Sequence, residues 1–347
     1  MARSPGHDPG HAGLAGGLAG YSWGDYVAHL TTEHGSLAAL ALKLANLATT
    51  PDDSASVERA LRRLRGRGNL DGGDYGRRLL RAFGLPKSVE ARVKWLGVYH
   101  SRFSDLPLSL CLDQLRIWDR PPVGESRARV WVELGFASAA LRARDLEAAE
   151  VFLRRARAAP PVELAAKIEV ALVEAFFASR RGDRDRVAGS LAETERLLEA
   201  GGDELSSLSF EERACLHVRW VDQRAYQKNN PPGGEAPDLR GALALYEALP
   251  REDIHPFVSY RRDAGLAYGR YKLGDRAAAV ELAEAAIGHA GDGGYIRLRA
   301  MALNLLARIL GDDGARARAR ALAIAKRLED EELLGRIDRG QRASEGS

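Results

Sequence analysis

The sequence predicts an all-α fold in two parts, a small helical N-terminal region followed by a longer stack of helix pairs. Three observations carry that reading. Nearly every segment from Ser22 onward places apolar residues at helical spacing. Alternating strand-like runs bounded by turn residues are missing. Beyond residue 122, small residues and turns recur at intervals of about 34 to 38 positions, as stacked helical units do.

The chain has 347 residues, 45% of them hydrophobic and 29% charged, with 51 Lys+Arg against 48 Asp+Glu. That composition describes a globular protein of about two domains or one repeat array. No apolar run approaches the ~20 residues of a membrane span. The start of the chain lacks the apolar block of a secretory signal. A cytoplasmic location with no membrane partner is therefore expected. Two cysteines, Cys111 and Cys215, are too few for a disulfide framework or a cysteine-only metal site. Charge is unevenly spread: residues 1–120 hold 16 basic and 12 acidic side chains, a net +4, and the remainder nets −1.

Taken in order, residues 1–20 are Gly, Ala and Pro with little to bury and read as a disordered tail. Residues 21–122 read as a helical domain. Within it Ser36–Ala48 puts Leu37, Leu40, Ala41, Leu44 and Leu47 on one face. After the turn TTPDD, Val57, Ala60, Leu61 and Leu64 follow i, i+3, i+4, i+7 and must point inward, which leaves Arg59, Arg62, Arg63 and Arg65 facing water. This pair resembles the helix-turn-helix of winged-helix transcription regulators. The resemblance implies that the second helix enters the major groove, its arginines contacting phosphates and guanine edges. GNLDGGDYGRRLL departs from that family, because Tyr75, Leu79, Leu80 and Phe83 announce a further helix where a wing would stand. A tri-helical variant is expected. A plainly solvated face and a protein-docking face stay open as alternatives. Trp95–Asp119 is unusually aromatic and reads as a hydrophobic joint.

Pro121–Pro122 marks the best boundary, and residues 123–335 read as about five helix pairs, followed by a flexible end at 336–347. Val130 to Pro161 carries Ala137, Ala149, Ala156 and Pro161 at its positions 8, 20, 27 and 32; Tyr260 to Ala290 carries Ala267, Gly274, Asp275, Ala279 and Ala286 at 8, 15, 16, 20 and 27. These two segments resemble the tetratricopeptide repeat, whose small residues sit there so that two helices can approach closely. Leu164–Glu199, Phe210–Leu249 and Arg297–Leu328 are weaker copies. The resemblance implies a TPR-like right-handed α-solenoid. Its first helices would line a groove for a peptide or protein partner, with Arg261, Tyr268, Tyr271 and Lys272 facing inward. On the preceding first helix Arg219, Gln223, Tyr226 and Asn230 share one face at i, i+4, i+7, i+11. Such a groove suits carboxylates. Equally, Tyr and Arg could pack between neighbouring repeats.

No active site assembles. There is no Walker loop, no HExxH and no nucleophile elbow. His7 and His11 lack supporting carboxylates, Cys215 and His217 point to different faces of one helix, and His100 beside Tyr99 and Arg102 reads as a packed or capping side chain. A binding protein rather than an enzyme is expected, with neither cofactor nor metal. Two functions follow. One is a TPR-containing regulator of transcription, similar to the peptide-sensing regulators of bacterial quorum signalling, whose paired DNA-binding heads imply a homodimer. The alternative is a TPR adaptor or scaffold with no nucleic-acid function.

Overall fold

The computed structural model describes residues 20–47, 52–159, 163–199, 207–231 and 235–345, with side chains through 339. The tail predicted at 1–20 lies outside them but for its last residue, as do parts of the breaks near 50, 161, 202 and 233. Every regular element among the described residues is helical. The helices pack chiefly against their neighbours in sequence. No described helix is long and apolar enough to cross a membrane.

Two compact units divide the chain. One comprises residues 1–97 and 112–132, the other 98–111 and 133–347. The division is not a single cut at Pro121–Pro122: the stretch from Val98 to Cys111 groups with the later helices.

The N-terminal unit holds α1 (Trp23–Glu33), α2 (Leu37–Asn46), α3 (Ser54–Arg65), α4 (Gly73–Phe83), α5 (Lys87–Gly97) and part of α6 (Leu108–Trp118). Its helices start where side chains can satisfy the open amides of the first turn. Ser22 and Asp25 form a capping box on α1, Ser36 caps α2, and Asp53 accepts from Ala55 N and Ser56 N on α3. Each cap is worth about 1 kcal/mol. Trp23, Tyr26, Leu40, Leu44, Val57, Leu61 and Leu79 make the core. Trp23 seats its ring where Gly72 and Gly76 carry no side chain; a Cβ at Gly72 would stand 2.2 Å from that ring. Its indole Nε1 donates to Leu70 O (2.8 Å), and the Tyr26 hydroxyl donates to Gly84 O (2.7 Å). The two polar tips thus find partners inside an apolar centre.

The C-terminal unit is built from α7 (Arg129–Arg142), which begins in the other unit, α8 (Leu146–Arg157), α9 (Leu164–Arg181), α10 (Arg184–Glu199), α11 (Phe210–Asn229), α12 (Leu239–Glu247), α13 (Pro256–Lys272), α14 (Arg276–Asp292), α15 (Ile296–Leu310), α16 (Ala315–Arg327) and α17 (Glu331–Glu345). Its helices pack in neighbouring pairs, and α17 continues to Glu345, beyond the 335 limit read for the repeats. Ala137, Ala149, Ala267, Ala279 and Ala286 are completely buried and Ala156 nearly so. Small side chains therefore sit on the buried faces of these helices.

Four turns between helices of this unit share one device. A residue with positive φ ends one helix, and the next residue sends its amide back to the helix just ended while its side chain opens the following one. Gly182–Asp183 and Gly274–Asp275 do this with glycine, at φ 71 and 90; Arg144–Asp145 and Glu329–Asp330 do it without, at φ 61 and 54. Asp145, Asp183, Asp275 and Asp330 donate their N–H to Ala140, Ala178, Arg270 and Ala325. Their carboxylates accept from Ala148, Arg186, Ala278 and Leu333. Orphan carbonyls of one helix and orphan amides of the next are satisfied together.

Candidate functional site

In the N-terminal unit α3 turns Val57, Ala60, Leu61 and Leu64 inward and exposes Arg59, Arg62, Arg63 and Arg65. Several of the surrounding charges are already paired. Arg62 reaches Glu58 at 2.6 Å, Arg59 reaches Ser56 Oγ at 2.7 Å and lies 3.9 Å from Asp53, Arg78 reaches Asp52 at 2.6 Å, and Arg77 reaches Asp74 at 2.8 Å. Exposed pairs of this kind open at little cost, so the face remains available to an anion. Arg63 and Arg65 give it the cations least tied to carboxylates.

The residues read as a groove in the C-terminal unit fall into two sets. Tyr226 on α11 is 50% exposed. Tyr268 and Lys272 on α13 and Arg308 on α15 meet over one ring, the Lys272 ammonium and the Arg308 guanidinium each 5.9 Å from the Tyr268 centroid. Burial raises the Tyr268 phenol above its usual value while Arg308 opposes that shift. Arg180 on α9 continues the wall, its guanidinium 4.8 Å from the Phe176 ring and close to Tyr226. These side chains come from the C-terminal ends of α9, α11, α13 and α15.

The second set is tied into the fold, although Asn230 itself stays exposed. Gln223 donates to Leu172 O (2.8 Å), Asn230 ends α11 by donating its side chain to Tyr226 O (2.9 Å), and Tyr271 packs on the cluster of Ala267, Ala279, Ala283, Leu306 and Ile309. Arg219 and Arg261 are only 5% and 8% exposed. A shared helix face does not distinguish a rim from an interior, and here the interior carries acids that hold the guanidiniums. Arg219 donates to Glu169, and Arg261 donates to Asp222 at 2.9 Å, whose other oxygen accepts from the Tyr246 hydroxyl at 2.8 Å.

Tyr99 lies at the middle of this network. Arg219 stacks over its ring at 4.4 Å, Arg261 donates to its hydroxyl at 2.7 Å, and its own amide donates to Glu169. Burial drives the Tyr99 phenol up, yet Arg261, Arg297 and Arg219 together bring it down to about 8. Arg297 donates from Nε to Asp330 (2.6 Å) and from its backbone to Asp105 (2.6 Å). Arg142 donates to Leu328 O (2.7 Å) and Leu106 O (3.2 Å). Burial lifts Asp105 to about 6 in spite of Arg297, Arg142 and Arg102. The arrangement holds distant helices in register; it carries no exposed nucleophile. Cys111 and Cys215 are buried thiols, both pushed up by that burial, and thiols of that kind are inert. Cys215 lies 3.5 Å from His255 Nδ1, whose ring caps α13 by accepting from Phe257 N.

Sequence reasoning missed Tyr99, Arg142, Arg180, Arg297, Arg308, Asp330 and Glu332. Only Tyr99 carried a local signal, the aromatic run beginning at Trp95. The others sit in ordinary charged helices or, for Asp330, in the turn before one, and their partners lie far away in sequence. Among the described residues no group of three or more His, Cys, Asp or Glu side chains could hold a metal ion. Comparison of the chain with family models, with curated proteins and with solved structures returned no match.

Proposed function

We propose that this protein is a partner-binding regulator whose C-terminal unit holds a peptide or protein segment against the wall of Arg180, Tyr226, Tyr268, Lys272 and Arg308. The observation that carries the reading is the convergence of aromatic rings and cations from four first helices on one surface. Those helices are the ones that line the groove in the tetratricopeptide family, which the small residues and turns of this chain resemble. Aromatic floors with cationic edges favour acidic partners, since a guanidinium held over a ring still presents its N–H groups to a carboxylate. The test is binding to an array of acidic and neutral peptides by the full chain and by a Tyr226→Ala/Tyr268→Ala variant. Binding confined to acidic peptides and lost in the variant, at an unchanged melting temperature, supports the reading. Binding retained in the variant removes it.

A second reading, DNA binding by the N-terminal unit, has its own support in the outward arginines of α3. The expected partner is duplex DNA, bound by a homodimer and weakened steeply by salt. A gel-shift and salt titration with the DNA upstream of the protein's own gene tests it. Without any binding at low salt, the adaptor reading takes its place.

A further inference from the structure

The stretch Leu328–Ile337, LEDEELLGRI, is seated in the C-terminal unit as a ligand would be. Leu108 N and Arg142 both donate to Leu328 O, at 3.0 and 2.7 Å. Ser109, at the start of α6, donates from its amide and its hydroxyl to the two oxygens of Glu329, at 2.7 and 3.0 Å. Arg297 holds Asp330, and Arg180 donates to Glu332. Leu333 and Ile337 are buried against Ala300, Leu303, Ala321 and Ala325. An acidic first turn is thus gripped by arginines on three other helices, with two apolar anchors beneath it.

Past the first turn the apolar match continues at Ile337, but the charge match fails. Arg336 folds back on Glu332 at 2.8 Å. A Cβ built at Gly335 would stand 3.3 Å from Arg144 Nη1 and 3.6 Å from Arg339 Nη1, so two guanidiniums meet over that glycine. Burial holds the Arg180 guanidinium below its ordinary value, and Arg336 adds to this. Two arginines, Arg180 and Arg336, therefore share Glu332, and two more, Arg144 and Arg339, meet over Gly335 one turn away. Glu329, which connects α16 to α17, also takes a positive φ without being glycine, a conformation that other residues adopt at a cost.

We propose that Arg144 and Arg180 form a docking site for an acidic, leucine-bearing helix of a partner protein, which α17 fills in cis as a poorer ligand. The fitting partner carries carboxylates at the places of Glu332, Arg336 and Arg339, which share a face at i, i+4, i+7, and apolar residues at those of Leu333 and Ile337. Such a helix replaces two like-charge contacts with ion pairs, and it must displace a tethered segment whose effective concentration is in the millimolar range. This deepens the partner-binding reading. It makes no use of Tyr226 or Tyr268, so loss or retention of binding in the tyrosine variant leaves it standing.

The test uses the full chain and two fluorescent peptides spanning residues 328–345, one of native sequence and one with Arg336→Glu and Arg339→Glu. A Glu332→Arg chain, whose own α17 is repelled by Arg180, is expected to bind the acidic peptide about tenfold more tightly than the native peptide. The native chain is expected to bind both about tenfold more weakly than the Glu332→Arg chain does, because its site is filled. Adding Arg144→Gln and Arg180→Gln to the Glu332→Arg chain, which removes the two cations without attracting its own α17, should abolish the preference for the acidic peptide. Equal binding of both peptides by the Glu332→Arg chain, or a preference that survives the loss of the two arginines, overturns the proposal. Amide exchange on the native chain gives a reading that needs no variant: residues 330–337 should open before α15 does. Exchange of those amides only on global unfolding makes α17 a permanent part of the fold and overturns it as well.

Discussion

In the N-terminal unit the arginines of α3 and α4 lie in water, and most of their pairings are with residues three to six positions away, as with Arg62 and Glu58 or Arg77 and Asp74. In the C-terminal unit Arg142, Arg219, Arg261 and Arg297 are buried, and their partners lie tens to hundreds of residues distant. The same side chain has two physical roles, and desolvation separates them. An exposed pair gains little because water competes for both charges. A buried pair has left water altogether, and removing one member strands the other.

The largest expected effect follows from that asymmetry. Arg219→Met leaves Glu169 buried without its cation and should cost on the order of 3–5 kcal/mol, whereas Arg62→Ala should change stability by no more than about 0.5 kcal/mol. Urea unfolding of both variants measures the contrast. A loss under about 1 kcal/mol for Arg219→Met would mean that water enters the network and that the two units do not differ in the way described.

Asp105 sharpens the comparison through pH. Its folded value of about 6 lies above the ordinary 3.8, so the folded state binds that proton more tightly than the unfolded chain does. The ionised form therefore costs stability above pH 6, and the cost disappears as pH falls through 6 towards 4. Asp105→Asn should stabilise the protein by roughly 2–3 kcal/mol at pH 8 and by almost nothing at pH 4. The groups facing it are Arg297, Arg142 and Arg102. If the gain were the same at both pH values, Asp105 would not be the titrating group.

The small-residue contacts come next in size. Ala149 and Ala279 have no exposed surface, and Leu at either position should overpack the interhelix contact and cost about 1–3 kcal/mol. An unchanged melting temperature in either variant would displace the register inferred from the repeat spacing.

What could be read in the sequence divides along the same line. The apolar face of α3 was visible because Val57, Ala60, Leu61 and Leu64 are neighbours on a helix, and the same rule leaves Arg59, Arg62, Arg63 and Arg65 outside. The turns at Gly182–Asp183 and Gly274–Asp275 carry a marker in the sequence, because glycine accepts positive φ without strain. Arg144–Asp145 and Glu329–Asp330 make the same turn without that marker and were invisible. For Arg219 and Arg261 the sequence leaves groove and inter-repeat packing equally open, because their helix positions are known locally, while Glu169 and Asp222, which hold them, are fixed by how helices stack. Tyr226 and Lys272, on the same faces, stay exposed. Helical spacing fixes direction on one helix; it does not fix what a second helix brings to meet it.

The smallest expected effect on stability belongs to Arg59, Arg62 and Arg63, and it tests whether an exposed cationic face has a use beyond solubility. Their neighbours Glu58 and Asp53 partly neutralise them in the free protein, so changing all three to Ala should shift stability by about 0.5 kcal/mol or less. DNA would compete with those carboxylates by offering phosphates in a fixed array. Each arginine that contacts a phosphate steepens the dependence of log affinity on log salt by about one unit, equally on every sequence, and a base-reading arginine instead costs about 1–3 kcal/mol on its own site alone. A salt titration of the parent and the triple variant separates these outcomes. Slopes that fall with each substitution assign the face to phosphate contact, and identical binding by parent and variant assigns α3 to the solvated surface its apolar face leaves behind.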